Sequence, residues 1–183
     1  MYNMKMMLKP QDIVVVLKLC GYAPNARPSY GVLAAELKLS ASEIHSAVQR
    51  LKNSRLVHGS EMDEKPNLSA LEEFLIHGIK YTFPAERGGL TRGMPTSYAA
   101  QPLCRLIKVG SEPVPVWADP NGTTRGISLV PLYKTVPEAA RRDPLLYERL
   151  ALIDAIRDGR ARERNLAEKE LKNSLKRIEA IYD

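Results

Sequence analysis

The chain has 183 residues, 44% of them hydrophobic and 26% charged, so it can bury a core as one compact domain with an extension or as two small domains. Its formal net charge of +6 favours a polyanionic partner, and the basic excess is spread along the chain rather than concentrated in a tail. No apolar run is long enough to span a bilayer and no signal-peptide core is present, so we expect a cytoplasmic protein that does not bind membranes.

A first helix is predicted to begin at Pro10, because proline is favoured in the first turn of a helix and acidic Asp12 lies near its positive end. The following residues 13–17 are rich in β-branched side chains, which a buried strand also favours. A buried strand is therefore the alternative for this segment.

Residues 29–57 are the most informative segment, because they are predicted to form two short helices joined by a tight turn. The first helix, over residues 29–37, has an apolar face made by Val32, Leu33 and Leu37.

The second helix is predicted to begin after Ser40, which lies three residues before Glu43. This is the spacing of a capping box, in which the serine hydroxyl and the glutamate each accept from an exposed backbone N–H. At 100° per residue, the helix then separates into two faces. The apolar face consists of Ile44, Ala47, Val48 and Leu51. The polar face consists of Ser42, His45, Ser46, Gln49 and Asn53.

The polar face carries side chains that can read DNA. Gln49 and Asn53 can pair bidentately with adenine, and serine or histidine can bond to base edges. Arg50 and Lys52 flank this face, where cations can reach phosphates or guanine. The plainer interpretation is an amphipathic helix whose polar face only meets water.

The order of helix, turn, cap and second helix favours DNA binding. The first helix contains LAAEL, the turn has an inward Leu39, SASE is the cap, and the second helix ends at Leu56 and Val57. It resembles the helix-turn-helix core of bacterial winged-helix regulators of the multiple-antibiotic-resistance and arsenic-resistance repressor (MarR/ArsR-like) types. The resemblance covers residues 9–57 and also favours a helix over a strand for residues 13–17. It implies a winged-helix-like N-terminal domain that binds double-stranded DNA.

Those regulators place a β-hairpin, the wing, after the second helix of the pair. Here residues 58–67 (HGSEMDEKPN) are acidic and short and lack two alternating strands. The wing is therefore expected to be missing, truncated or displaced.

Helical periodicity resumes at Asn67, and Ser69 and Glu72 have the spacing of a second capping box. An apolar face predicts a fourth helix that ends near residues 83–84. This face consists of Leu71, Phe74, Leu75 and Ile79.

Residues 84–102 are predicted to be a long loop, because their glycines and prolines break any periodicity. Arg87 and Arg92 lie among the glycines, where they could approach a phosphate or enter a minor groove. A surface connection whose arginines pair with nearby carboxylates is the equal alternative. The segment lacks the GK[ST] ending of a phosphate-binding loop.

Residues 103–109 and 114–118 have the composition of strands, and residues 119–122 (DPNG) are a turn signal before TTRGISLV. A β-hairpin is predicted here. It could act as a displaced wing with Arg125 near its tip, but packing against the fourth helix is favoured. Trp117 is expected in the core or an interface, because no second aromatic accompanies it in the strand.

The last third is predicted to be helical, beginning with a helix that Asp143 caps and Gly159 ends. Its apolar residues are Leu146, Leu150, Ile153 and Ile156. The final helix carries an apolar seam of Leu171, Leu175, Ile178 and Tyr182.

The seam must be buried against the preceding helix or against the same helix of a second subunit. The second subunit is favoured, because many bacterial regulators bind palindromic sites as two-fold dimers. At the start of this helix, a basic cluster is expected to form ion pairs with Glu163 and Glu168 rather than to bind phosphate. The cluster consists of Arg160, Arg162 and Arg164.

Little in the sequence indicates an enzyme. Cys20 and Cys104 are far apart and in apolar surroundings, so they are expected to be reduced packing residues. His45, His58 and His77 have no metal-ligand spacing with a cysteine or an acidic residue. We therefore expect no enzymatic activity, no metal and no cofactor.

These patterns predict a mainly α protein with a small β component. Residues 1–66 are expected to form the helix-turn-helix DNA-binding domain, residues 67–135 a helix, loop and β-hairpin, and residues 136–183 the dimerising C-terminal helices. The predicted function is a sequence-specific regulator, a homodimeric repressor. The alternative is an antitoxin or adaptor that binds a partner protein. The candidate DNA-binding residues are Ser40, Ser42, His45, Ser46, Gln49, Arg50, Lys52, Asn53, Arg55, Arg87, Arg92 and Arg125.

Overall fold

The computed structural model describes residues 6–23, 26–60, 63–108 and 110–182. The protein is a mixed α/β protein that is 56% helical and has a small amount of sheet. No helix in the described ranges is both long and apolar enough to cross a membrane. Buried apolar side chains from Ile13 to Ile178 join one cluster, so all three predicted regions contribute to the same core.

Three helices form the N-terminal part, α1 (Pro10–Leu19), α2 (Tyr30–Leu37) and α3 (Ala41–Asn53). The prediction of a helix for the first segment is confirmed, and its β-branched residues 13–17 are buried. Ser29 caps α2 by accepting from the backbone N–H of Val32 at 3.3 Å. The predicted capping box between Ser40 and Glu43 is confirmed at the start of α3.

A short antiparallel strand pair follows α3, formed by β1 (Val57–His58) and β2 (Lys65–Pro66). Two residues in each strand are too few to show alternation in the sequence, which explains why no hairpin pattern was visible. The structure therefore has a short two-stranded hairpin directly after α3, at the position where the resemblance placed a wing. Residues 61–62 of its turn lie outside the described ranges.

The predicted fourth helix is confirmed, as α4 (Leu68–Glu73), a π-helical turn (Phe74–Gly78) and α5 (Ile79–Thr82). Its predicted capping box at Ser69 and Glu72 is wrong. Asn67 is the cap, and its side chain accepts from the backbone N–H of Ala70 at 3.2 Å. Asparagine caps a helix as well as serine does, so the helix begins two residues before the position that the Ser69 box would give.

Three strands close on one another into a small barrel, β3 (Arg87–Pro95), β4 (Pro115–Ala118) and β5 (Thr124–Leu129). The prediction of a loop over residues 84–102 is therefore wrong for β3. Three of its residues are glycines and most of its side chains are exposed, so no alternation of buried and exposed residues marked the strand. The expected strand over residues 103–109 is also wrong, because a short 3-10 turn (Leu103–Arg105) lies there.

The predicted β-hairpin is wrong as well, because β4 and β5 pair in parallel and each pairs antiparallel with β3. The turn between them crosses over β3 at Gly93, which pairs with residues of both strands. A Cβ on Gly122 would lie 2.3 Å from the carbonyl carbon of Gly93, and one on Gly93 would lie 2.0 Å from the carbonyl oxygen of Trp117. Glycine is therefore required at both positions of the crossing.

Three helices complete the chain, α6 (Val136–Arg142), α7 (Pro144–Asp158) and α8 (Ala161–Tyr182). The predicted cap of α7 is confirmed, since the Asp143 side chain accepts from the backbone N–H of Leu146 at 3.0 Å.

The expectation that the α8 seam faces a second subunit is wrong. Leu171, Leu175 and Ile178 are 0%, 2% and 4% exposed, and α8 packs against α7 and α4 of the same chain. These two helices already offer enough apolar surface to cover the seam. The side chain of Tyr182, the fourth predicted seam residue, lies outside the described part of the chain.

Candidate nucleic-acid interface

Helix α3 separates its two faces as predicted. Its four apolar-face residues are all 0% exposed and pack towards α1 and α2. The five polar-face residues are exposed, namely Ser42, His45, Ser46, Gln49 and Asn53. A rigid helix that presents several hydrogen-bonding side chains to solvent has the form that contact with base edges requires.

The start of α3 is held by the capping box. The backbone N–H and the hydroxyl of Ser40 both donate to Oε2 of Glu43 at 2.8 Å, and the Glu43 N–H donates back to the Ser40 hydroxyl at 3.2 Å. The bond from the Ser40 backbone has the largest effect on the pKa of Glu43. Together with the bond from the Ser40 hydroxyl, it lowers that pKa. Ser40 is exposed, but its hydroxyl is already used in fixing the first turn of α3.

A three-residue turn joins α2 to α3. Lys38 ends α2 in the left-handed conformation, with φ of 57°, and the N–H of Leu39 donates to the carbonyl of Ala34 at 3.0 Å. The Lys38 ammonium lies 3.3 Å from the carboxylate of Glu138 in α6, which attaches the turn to the C-terminal part.

Arg50 does not lie on the exposed face. The prediction that it contacts a phosphate is therefore wrong. Its side chain is 8% exposed. Nε donates to Oδ2 of Asp12 at 2.8 Å and Nη2 donates to Oδ1 at 2.6 Å. Arg50 was expected at the edge of the polar face, but the carboxylate of Asp12 in α1 draws it inward. It joins α3 to α1 instead of facing solvent.

Lys52 and Arg55 are the cations that remain at this surface. The Lys52 side chain is 22% exposed, and its ammonium lies 3.3 Å from Oε1 of Glu64. Arg55 is exposed in the turn after α3, with φ of 59°, and its carbonyl accepts from the side chain of Asn67 at 3.2 Å. Within the described ranges, the Arg55 guanidinium has no carboxylate partner, so it is the freer of the two to reach a phosphate.

Glu64 is a residue of this surface that the sequence did not reveal. Its side chain is fully buried although it lies in the turn between β1 and β2. It accepts from the hydroxyl of Tyr30 at 2.8 Å, and Nε of Arg27 lies 2.7 Å from its other oxygen. Together with Lys52, these contacts attach the short hairpin to α2 and α3. A glutamate in a polar turn carries no sequence signal of burial.

The network around Glu64 predicts a dependence of stability on pH. Burial alone would raise the pKa of Glu64. The hydrogen bonds from Tyr30, the backbone and Lys52 and the charge of Arg27 outweigh burial, so the pKa of Glu64 is lowered. The stability that the carboxylate contributes is therefore fully present above the unfolded pKa of about 4.3 and is lost as pH falls through the lower folded pKa. We expect Glu64→Gln to destabilise the protein by about 1–3 kcal/mol at pH 7.

The measurement is urea unfolding at a series of pH values from neutral to acid. Glu64→Gln should lose less stability on acidification than the parent protein does. Asp63→Asn is the matched control, because Asp63 is an exposed neighbour that pairs with Lys65 at 3.4 Å and should behave as the parent does. An acid profile of Glu64→Gln as steep as the parent's would contradict the assigned network.

The other three predicted arginines, Arg87, Arg92 and Arg125, lie on the barrel, where bonds to α7 fix the strands. Arg87 donates three bonds of 2.7 to 3.0 Å to the carboxylate of Asp158, so pairing with a carboxylate is the correct alternative for it. Arg92 and Arg125 are exposed and lie directly opposite each other in the β3–β5 register.

The histidines lie apart, on α3, β1 and the π-helical turn, and the ring of His45 meets the ring of Tyr30 edge-on with centroids 5.8 Å apart. Among the residues that the structure describes, no three His, Cys, Asp or Glu side chains are grouped so that they could hold a metal ion.

A comparison of the sequence with models of known protein families found no match. Searches for similar curated proteins and for similar solved structures found none either. The functional assignment therefore depends on the geometry of the chain itself.

Proposed function

We propose that the protein is a sequence-specific, double-stranded DNA-binding transcription regulator that represses by occupying an operator. In this proposal α3 is the recognition helix of a winged-helix-like domain and the β1–β2 hairpin is a reduced wing. One observation carries it: the whole polar face of α3 is exposed while its opposite face is fully buried. The order of helix, turn and helix is also the basis of the resemblance of residues 9–57 to MarR/ArsR-like regulators, for which no family model matches.

The residues of α3 and its surroundings take different roles in this proposal. Five polar-face residues would contact base edges, namely Ser42, His45, Ser46, Gln49 and Asn53. Lys52 and Arg55 would bind phosphates. Ser40, at the N-terminus of α3, and Arg92 and Arg125, on the barrel, would be more distant contacts. Arg50 has no direct role, because its guanidinium is bonded to Asp12. Arg87 would first have to leave Asp158.

A homodimer would double the contacts on a two-fold operator. It would have to form through a surface other than the α8 seam, because that seam is buried within one chain.

Gln49→Ala is expected to relax the preference for one base pair by roughly 1–3 kcal/mol, because a bidentate contact to a base edge would be lost. The slope of log K against log salt should stay unchanged, since no phosphate contact is removed. The measurement is binding to fluorescent duplexes selected from a random library and to scrambled duplexes, over a salt series. Gln11→Ala, on α1, is the matched control.

Two results would count against the proposal. If Gln49→Ala bound every duplex as the parent does, α3 would not be the helix that reads the bases. If the parent protein bound selected and scrambled duplexes equally and weakly, the protein-partner class, an antitoxin or adaptor, would be the better assignment.

A further inference from the structure

The exposed face of α8 is basic although the helix carries four glutamates beside its six Lys and Arg residues. At about 100° per residue, four cations and two asparagines fall within an arc of about 100°, and no carboxylate falls between them. These residues, which we call the basic face of α8, are Arg162, Asn165, Lys169, Lys172, Asn173 and Lys176, and all of them are exposed.

The cations of the basic face are unpaired within the described ranges. None of the six side chains forms an ion pair or a hydrogen bond there. The expectation that Arg160, Arg162 and Arg164 pair with Glu163 and Glu168 is wrong as well, because no such ion pair forms in the part of the chain that the structure describes. Glu163 instead accepts from the backbone N–H of Arg160 at 2.9 Å and caps α8. The glutamates of α8 lie beside the arc, so its middle is left to the cations.

The opposite face of α8 is occupied by the core, which limits the kinds of partner. Its buried residues are Ala167, Leu171, Ser174, Leu175 and Ile178. A helix that lies on a membrane inserts an apolar face into the lipid, and α8 has no such face free. The basic face also contains no exposed large apolar side chain, whereas protein interfaces are anchored by buried aromatic or aliphatic residues.

We propose that the basic face of α8 binds the phosphate backbone of duplex DNA. From Arg162 to Lys176 the helix rises about 21 Å, at 1.5 Å per residue. The same length of duplex carries roughly a dozen phosphates, so a row of cations and amide donors along one face of a rigid helix meets a continuous array of acceptors. This face contributes affinity that depends on salt and not on sequence, whether or not α3 reads bases.

The test replaces three lysines of the basic face together, Lys169→Gln, Lys172→Gln and Lys176→Gln. Binding to a scrambled duplex is measured between about 50 and 200 mM salt. Each lost phosphate contact lowers the magnitude of the slope of log K against log salt by about 0.9, so we expect a fall of about 2.7 for the three. At the lowest salt, affinity should fall about tenfold or more, equally for scrambled and selected duplexes. The melting temperature should be that of the parent, since the side chains are exposed and unpaired.

The matched control replaces three lysines elsewhere, Lys9, Lys80 and Lys108, with glutamine and makes the same change in net charge. An equal loss of slope in the control would show a general effect of charge and overturn the assignment to α8. An unchanged slope in the α8 variant would overturn it too, as would a parent protein that binds no duplex at all. Tighter binding of the parent to anionic phospholipid vesicles than to DNA, lost in the α8 variant, would assign the face to a membrane instead. The readout is the salt slope on a scrambled duplex, so this test can support DNA binding by the basic face of α8 even if α3 has no sequence preference.

Discussion

Replacing Arg50 with methionine is expected to destabilise the protein by about 3–5 kcal/mol, because the carboxylate of Asp12 would stay buried without its charge partner. Asp12 is 0% exposed and receives two bonds from Arg50, together with one from the backbone N–H of Lys9 at 2.8 Å. The backbone bond alone cannot replace a guanidinium. Denaturant unfolding at neutral pH measures the loss.

The double variant Asp12→Leu with Arg50→Met should recover most of that loss, because two apolar side chains can replace a buried ion pair at little cost. The cap that Asp12 supplies to α1 would still be lost, at about 1 kcal/mol. Arg142→Met is the control, since Arg142 is 64% exposed and lies 3.8 Å from Glu138. If Arg50→Met cost no more than Arg142→Met, the pair would not join α1 to α3, and Arg50 would again be a candidate for DNA contact.

The local features of the N-terminal part could be predicted from sequence because they depend on residues close together in the chain. The Ser40–Glu43 box joins groups three residues apart, and the two faces of α3 follow from helical geometry. The same reasoning missed the Asn67 cap because Asn67 and Ser69 are both good capping residues and lie only two positions apart.

Contacts between distant residues could not be predicted in the same way. The position of Arg50 depends on Asp12, 38 residues earlier, and the burial of Glu64 depends on Tyr30 at the start of α2 and on Arg27 just before it. Periodicity places Arg50 at the edge of the polar face, but only the fold supplies the carboxylate that turns it inward.

The barrel and the α8 seam were mispredicted for a related reason. Strand β3 pairs on both edges and crosses a turn at Gly93, so Gly93 serves close packing rather than loop flexibility. For α8, an apolar seam indicates that a partner surface exists but not which chain supplies it, and here α7 and α4 of the same chain supply it.

Replacing Asp154 with alanine is the second large effect, with an expected loss of about 3–5 kcal/mol. Asp154 is 1% exposed, and one of its oxygens accepts from Thr96 at 2.8 Å and from the indole N–H of Trp117 at 2.6 Å. Its other oxygen accepts from Arg157 at 2.8 Å. The Asp154 carboxylate of α7 therefore binds both the end of β3 and β4. Its removal would leave three buried donors without an acceptor.

Asp158→Ala is the matched control, because Asp158 lies one turn later on the same helix and is also bonded by an arginine. That arginine, Arg87, is 58% exposed, so the expected cost is about 1 kcal/mol or less. Trp117 is the single tryptophan of the chain, and its fluorescence during denaturant unfolding reports on the barrel directly. Equal losses for the two variants would contradict the assignment, since the donors to Asp154 are buried whereas Arg87, the partner of Asp158, is 58% exposed. A larger loss for Asp154→Ala, with Trp117 exposed before the helices unfold, would show that this carboxylate holds the barrel on α7.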